Sequence, residues 1–333
     1  MTFGDALSGA FPVFQPSVMR ILFVKTSSLG DVIHNCPAVS DLRRRFPDAA
    51  IDWVVEEPFA AIVAMHSAVR RVIPVAVRHW RSRLFLPSVW RDIMDFRRSL
   101  RMEVYDLVVD TQGLLKSAVI ARGAIGVRHG YDADSAREPM ASRLYDVRHA
   151  VSRELHAVER NRLLTAAAAG FEHRGECDYG LAAHGRNPIT HGKPFCVFLS
   201  MTSRADKLWP EGHWAELVRA LAARGMECIL PWGSEVEQAR CRRIVARSGS
   251  GSIPRAQSLA ELAGMMAGAR TVFGVDTGLA HLAAALGVPT IGLYCSTDPA
   301  RTGLYGGRNI ANLGGPGRVP SSQEAISAME AME

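Results

Sequence analysis

Twice along this chain, short and almost wholly apolar strand-like runs alternate with helix-like runs, and the second series restarts after a stretch that suits neither. In the first half the pattern places strands over 20–25, 51–55, 71–74, 107–110 and 125–127. Helices fall over 31–46, 58–66, 89–102 and 114–122, and an alanine-rich one near 154–169 ends at Gly170. The order begins again with strands 195–200, 227–231, 270–274 and 290–294 and helices 212–224, 235–248, 259–267 and 278–286. Strands that are apolar on both faces need cover on both, which selects a parallel sheet with helices on each side. Two such series predict an α/β protein of two doubly wound, Rossmann-like domains facing a central cleft. The 333 residues are enough for two cores. Residues 177–193 are poor in apolar side chains and carry Gly180, Gly185, Pro188 and Gly192, so they read as a linker. The domains are expected over 19–176 and 194–333, with 1–18 a disordered extension.

Ligands of doubly wound sheets bind beyond the carboxyl ends of the strands, and the chemistry-bearing residues cluster at such ends. After the strand ending at Gly274, Asp276 or Thr277 stands where a helix N-cap belongs, Gly278 allows close backbone approach, and His281 lies one turn on. A strand running into a helix start leaves unpaired N–H groups and partial positive charge, which suit a diphosphate. After the strand ending at Ser200, Thr202 and Ser203 supply hydroxyls and Lys207 a mobile positive charge. That lysine could neutralise charge growing on a leaving diphosphate. Glu237, following the strand that ends at Pro231, is either an acceptor for ribose hydroxyls or a first-turn acid favoured by the helix dipole. The loop 25–31 (KTSSLGD) lacks the GxGxxG of a dinucleotide site. Its Asp31 is either a helix N-cap, worth about 1 kcal/mol, or a carboxylate at the cleft edge able to take a proton from a hydroxyl.

A formal net charge of +6 and a pI near 9.2 favour anionic partners. Arginines concentrate between Arg78 and Arg101, interleaved with Trp80, Phe85 and Trp90. This segment is either a solvated helix face or a surface for phospholipid or an acidic acceptor, each cation adding about 1 kcal/mol at an anionic leaflet. The six scattered cysteines form no CxxC pair and fit reduced thiols in the cytoplasm, with no zinc site. No apolar run of membrane-spanning length occurs, no signal-peptide start is present, and no nucleic-acid-binding motif appears.

Seven segments together carry a resemblance: KTSSLGD at 25–31, DWVVEE at 52–57, AREP at 136–139, HAVER at 156–160, KLWP at 207–210, PWG at 231–233 and VDTGLAHL at 275–282. The chain resembles the heptosyltransferases of glycosyltransferase family 9, of GT-B fold, from about residue 19 to near 314, and within them the type I branch. That resemblance implies transfer of heptose from ADP-L-glycero-β-D-manno-heptose to Kdo2-lipid A with inversion, in lipopolysaccharide core synthesis, at the cytoplasmic face of the inner membrane. It implies Asp31 as catalytic base and Lys207 as the residue gripping the donor phosphates. Thr202, Ser203, Glu237, Asp276, Thr277, Gly278 and His281 match the donor site, and Ser28, Arg78, Arg81, Lys116 and Arg137 fall where the family meets its acceptor. The family has two adjacent threonines where this chain has Thr202 and Ser203, a change that keeps the hydroxyl. No carboxylate pair of DxD type flanks the diphosphate loops, so no metal and no cofactor are expected. The competing readings are a type II enzyme acting on an already heptosylated core, a nucleotide-sugar epimerase, and a non-catalytic nucleotide- or nucleic-acid-binding module.

Overall fold

Burial of nearly every side chain in the first strand sets the frame of the N-terminal half. Strand β1 (Arg20–Val24) is fully covered from Ile21 to Val24, so it must lie in the middle of a sheet clad on both faces. The computed structural model, which describes residues 18–182, 192–307 and 309–332, places it there. The sheet also contains β2 (Ala50–Glu56), β3 (Val69–Val75), β4 (Val104–Asp110), β5 (Ile125–Tyr131) and β6 (Val147–His149), all parallel, in the order β3-β2-β1-β4-β5-β6. Strand order reverses between β1 and β4, and the loops leaving these two strands therefore flank the crevice of this sheet.

Helices α1 (Leu29–Ile33), α2 (Cys36–Arg45), α3 (Ala60–Val63), α4 (Val77–Ser82), α5 (Pro87–Leu100), α6 (Leu115–Gly123) and α7 (Ala157–Ala169) complete this half. The single helix expected over 31–46 is two. Pro37 has no N–H to give the preceding turn, and the chain restarts at Asn35, which caps α2 with Pro37 in its first turn. The end of α7 agrees with expectation, because Gly170 takes the left-handed cap conformation at φ 71°. Helices α2 and α7 are pinned by a buried ion pair. Arg162 Nε and Nη2 donate to the two carboxylate oxygens of Asp41 at 2.7 and 3.1 Å, with both side chains 3% exposed. Arg162→Met leaves that buried carboxylate to the half-exposed Arg44, whose Nη1 donates to Oδ1 at 3.1 Å, and the expected loss is about 3 kcal/mol, read from the denaturant midpoint. A loss below about 1 kcal/mol would mean that water reaches Asp41 and the pair is not a brace.

The second sheet is built from β7 (Phe195–Leu199), β8 (Glu227–Ile229), β9 (Thr271–Val275), β10 (Thr290–Tyr294) and β11 (Ile310–Gly314) in the order β11-β10-β9-β7-β8, again parallel throughout. Helices α8 (Glu211–Ala223), α9 (Glu235–Ser248), α10 (Leu259–Ala267), α11 (Gly278–Ala285), α12 (Pro299–Thr302) and α13 (Ser322–Glu330) surround it. Its order reverses between β7 and β9. Strands β6 and β11 and helices α4, α12 and α13 are additions to the sequence reading. Helix α13 seats Ile326 and Met329 among Trp214, Leu217 and Phe273 of the second core. Another apolar cluster is continuous across the two halves, from Ile62 and Val63 of α3 to Leu262 and Met266 of α10. The expected extension and most of the expected linker fall on residues 1–17 and 183–191, outside the described residues. No helix among the described residues is long and apolar enough to cross a membrane.

Candidate active site

Both reversal points open onto one cleft. The loop after β1 delivers Ser28 and Asp31, the loop after β7 delivers Thr202, Ser203 and Lys207, and the β9–α11 junction delivers Asp276, Thr277 and Gly278. These residues, with His34, Arg137 and His281, line a cavity of about 330 Å³. Asp31 is not the N-cap of α1. Ser28 occupies that position and Asp31 the third helical one, accepting from the Ser28 N–H at 3.0 Å and the Ser28 hydroxyl at 3.1 Å, both on Oδ2. The other oxygen, Oδ1, accepts from Arg137 Nη2 at 2.6 Å. Burial alone would raise the Asp31 carboxyl, but the Lys25 ammonium, the Arg137 guanidinium and the Ser28 N–H outweigh it and hold it well below the usual carboxylate range. The carboxylate stays ionised at neutral pH and faces the cleft, as a proton acceptor needs to.

Lys25 and Gln112 support this loop and were assigned no role from sequence. Lys25 is 4% exposed and donates to the Thr111 carbonyl at 2.8 Å, with burial pushing its ammonium down to about 8. The Gln112 amide oxygen accepts from the N–H groups of Thr26 and Ser27 at 2.8 and 3.2 Å, and its nitrogen donates to the Ser27 carbonyl. Gln112 follows β4, so the rule that picked out the other loops, strand end plus polar residues, also covers it.

Across the cleft, Lys207 closes a short 3-10 turn over Ala205–Lys207. Two residues on, Trp209 is fully buried and donates to the Pro320 carbonyl at 2.7 Å, which anchors the turn and aims the lysine. Lys207 Nζ donates to Asp276 Oδ2 at 2.7 Å, Thr297 donates to the same oxygen at 2.8 Å, and the Thr202 hydroxyl donates to the Asp276 carbonyl at 2.8 Å. Burial would raise the Asp276 carboxyl; the groups facing it, His281, Lys207 and Thr297, hold it well below the usual range. His281 Nε2 stands 3.9 Å from Asp276 Oδ1, beyond hydrogen-bond reach, so the lysine and threonine bonds fix the carboxylate.

Thr277 is the N-cap of α11, and Thr277 and Gly278, at a helix start whose first N–H groups have no intrahelical acceptor, line the cleft together with Lys207. The tight approach expected at Gly278 is to protein. A Cβ there would fall 2.7 Å from Leu29 Cβ and 2.9 Å from the Gly30 nitrogen, so glycine lets α1 and α11 meet across the two halves. Histidines complete this junction. His34 Nε2 and His281 Nδ1 are 3.2 Å apart, one donating and one accepting, and His156 Nε2 donates to the Gly303 carbonyl at 3.1 Å. Burial and the neighbouring rings keep His34 well below its ordinary value, and burial brings His156 down to about 4, so both are neutral here.

The other expected site residues lie nearby but not in this cavity. Glu237 borders an adjoining pocket of about 370 Å³ that shares Thr202, Ser203 and Thr277 with the cleft and has Trp232, Leu259 and Leu262 in its walls. Its carboxylate accepts from the Gly233 N–H at 2.6 Å and its own N–H donates to Ser234 Oγ, so it also serves the start of α9. Arg78, Arg81 and Lys116 border a separate hollow of about 450 Å³. Lys116 reaches back from it, donating to Ser27 Oγ at 2.9 Å.

Two Rossmann-like halves, an ionised carboxylate on one wall and a lysine with a helix start on the other, form an arrangement suited to glycosyl transfer from a nucleotide diphosphate. The family model "Glycosyltransferase family 9 (heptosyltransferase)" matches residues 93–328. The chain belongs to glycosyltransferase family 9. Among the members of this family, lipopolysaccharide heptosyltransferase 1 of Pseudomonas aeruginosa is 48% identical over 301 residues, 89% of this chain and 84% of the relative. The structure of the E. coli heptosyltransferase WaaC with ADP superposes with a TM-score of 0.88 at 41% identity, covering 95% of this chain and all of that one. Its complex with ADP-2-deoxy-2-fluoro heptose gives 0.84 at 40% identity and the same coverage. The GT-B fold and the heptosyltransferase assignment stand on these matches, and the epimerase and binding-module readings fall.

Proposed function

We propose that this family 9 enzyme moves L-glycero-D-manno-heptose from ADP-heptose to a Kdo hydroxyl of Kdo2-lipid A, with inversion at the anomeric carbon. The observation that carries the reading is the placement of Asp31 and Lys207 on opposite walls of one cleft. The names of the relatives, and the two E. coli complexes with ADP and with a fluorinated ADP-heptose, support the donor. The diphosphate would lie on the N-terminus of α11 and on Thr202, Ser203 and Lys207, with Asp276 holding the lysine in place and His281 at its side. The adenosine would enter the adjoining pocket against Trp232 and Leu259, its ribose hydroxyls donating to Glu237.

Arg137, with a side chain 44% exposed, can swing from Asp31 onto an acceptor carboxylate and leave Oδ1 for the acceptor hydroxyl. As the hydroxyl oxygen bonds to the anomeric carbon, its proton passes to Asp31. The bond from that carbon to the diphosphate oxygen breaks, and Lys207 meets the growing negative charge. Ser28 orients the carboxylate, and Arg78, Arg81 and Lys116 attract the acceptor's remaining anionic groups. With this positive charge in place we propose that turnover needs no divalent cation. Exposed Phe85, Trp90 and Met94 beside the arginines of α4 and α5 suit a protein held peripherally at an anionic leaflet, on the cytoplasmic face of the inner membrane.

The test is heptose transfer from ADP-heptose to Kdo2-lipid A and, in parallel, to the same acceptor already carrying heptose, each with and without chelator. Transfer to the unheptosylated acceptor alone, undiminished by chelator, is the expected result. Transfer only to the heptosylated acceptor would reassign the enzyme to type II, and loss in chelator would restore a metal to the mechanism.

A further inference from the structure

Beside the acceptor cations, α4, α5 and α6 enclose a larger groove of about 750 Å³. Its walls are mostly apolar, with Val77, Trp80, Phe96 and Leu100 on one side and Leu115 and Val119 on the other. Leu115 and Val119 are 45% and 57% exposed, so α6 turns hydrocarbon to water here. The groove is held open by packing. The Trp80 and Phe96 rings meet at 5.5 Å, and both rest on the small core that contains Leu100 and Ile120. Four cations, Arg81, Arg97, Lys116 and Arg122, stand on its rim.

Position gives this groove its meaning. Ser28 and Asp31 line the cleft; their neighbour Ser27 is bonded to Lys116; Lys116 borders the hollow with Arg78 and Arg81; and Val77, Arg81 and Lys116 border both the hollow and the groove. From the base outward the surface therefore runs from a hydroxyl-binding carboxylate, through a cationic patch, to an apolar slot. An acylated anionic glycolipid has the same order of chemistry: sugar hydroxyl, anionic groups, hydrocarbon. We infer that the groove takes one acyl chain of the acceptor, so that the enzyme reads the lipid as well as its sugars. The inference rests on the acceptor class proposed above.

Each methylene withdrawn from water is worth about fourfold in affinity. The test is a double variant, Leu115→Gln with Val119→Gln, which keeps the charge and the helix propensity of an exposed face. Steady-state kinetics are compared on Kdo2-lipid A and on its deacylated form in the same neutral detergent. The expected result is a rise of about tenfold or more in KM for the acylated acceptor, an unchanged KM for the deacylated one, and kcat unchanged on both. Val119→Leu should retain the wild-type ratio. A shift of the same size on both acceptors, or none on either, overturns the inference. So does an equal loss of binding to phosphatidylglycerol vesicles with no change in the KM ratio, which would make the groove a bilayer contact. Failure of the wild-type protein to use either acceptor would instead strike the proposed reaction, and this inference with it.

Discussion

Asp31→Asn lowers kcat by about 10²–10⁴-fold while ADP binds as in the wild-type protein. The substitution separates the observed role of Asp31, holding the start of α1, from the proposed one, taking the acceptor's proton. The asparagine oxygen can still accept from the Ser28 N–H and hydroxyl, now at 3.0 and 3.1 Å, so the start of α1 keeps its support. A neutral amide cannot take the acceptor's proton, and Arg137 loses the charge that holds it at 2.6 Å. The donor side is untouched, because the groups facing the diphosphate come from the other half of the chain. Lys25, Arg137 and the Ser28 N–H keep the wild-type carboxylate ionised well below the usual range. Asp31 accordingly sets no acid limb on the rate near neutrality, and whatever stability its depressed ionisation contributes is lost only in strong acid. Turnover close to wild type in the Asn variant, measured as product released per folded enzyme, would dismiss Asp31 as the base. Parallel loss of ADP binding would show instead that the change had disturbed the cleft.

Lys207→Met is expected to lower kcat/KM by about 10²–10³-fold and ADP affinity by roughly tenfold or more, the scale of one hydrogen bond to a charged group. Methionine preserves the length of the side chain and the 3-10 turn is anchored at Trp209, so the loop should keep its course. What disappears is the only charge-bearing partner of Asp276 within hydrogen-bond reach among the described residues; Thr297 remains at 2.8 Å. With the donor placed as proposed, an uncompensated Asp276 carboxylate would repel the diphosphate, so part of the loss would belong to Asp276. The double variant Lys207→Met with Asp276→Asn separates the parts. If it recovers wild-type ADP binding and rate, Lys207 acts only by neutralising Asp276, and direct stabilisation of the leaving group is excluded. A residual defect is expected. Isothermal titration with ADP and single-turnover rates give the two readings.

Much of this site could be found from strand ends alone. Residues that leave β1, β7 and β9 reach the cleft because parallel strands deliver their following loops to one edge, and that geometry needs only the strand positions. Gln112 was available by the same rule after β4, and its polar run simply carried no motif. Helix α13 was also written plainly, since Ser321 and Glu324 form a capping box before an apolar-periodic run. Strand β11 was not legible: its Asn312 looks like a turn residue, but its side chain binds the N–H and carbonyl of Leu304, a partner known only after folding. The break between α1 and α2 was signalled by Pro37 and missed because the apolar pattern runs through it.

Local sequence determined what depends on neighbours within a few residues: strand and helix order, the parallel architecture, the N-terminal caps, and which loops carry hydroxyls, carboxylates and the lysine. Only the tertiary structure decided relations between residues far apart in the chain. It put Arg137 on Asp31 across 106 positions and Lys207 on Asp276 across 69. It made Gly278 a point of contact with Leu29 and Gly30. It also gathered Arg78, Arg81 and Lys116 around a hollow outside the cleft and put Arg81 and Lys116 on the edge of the apolar groove as well. The reason is physical. Hydrogen-bond periodicity and capping act over one or two turns and leave a mark in composition. The ionisation of Asp31 and the order of cleft, cationic hollow and apolar groove arise from burial and charge brought together by packing, and no window of sequence contains both partners.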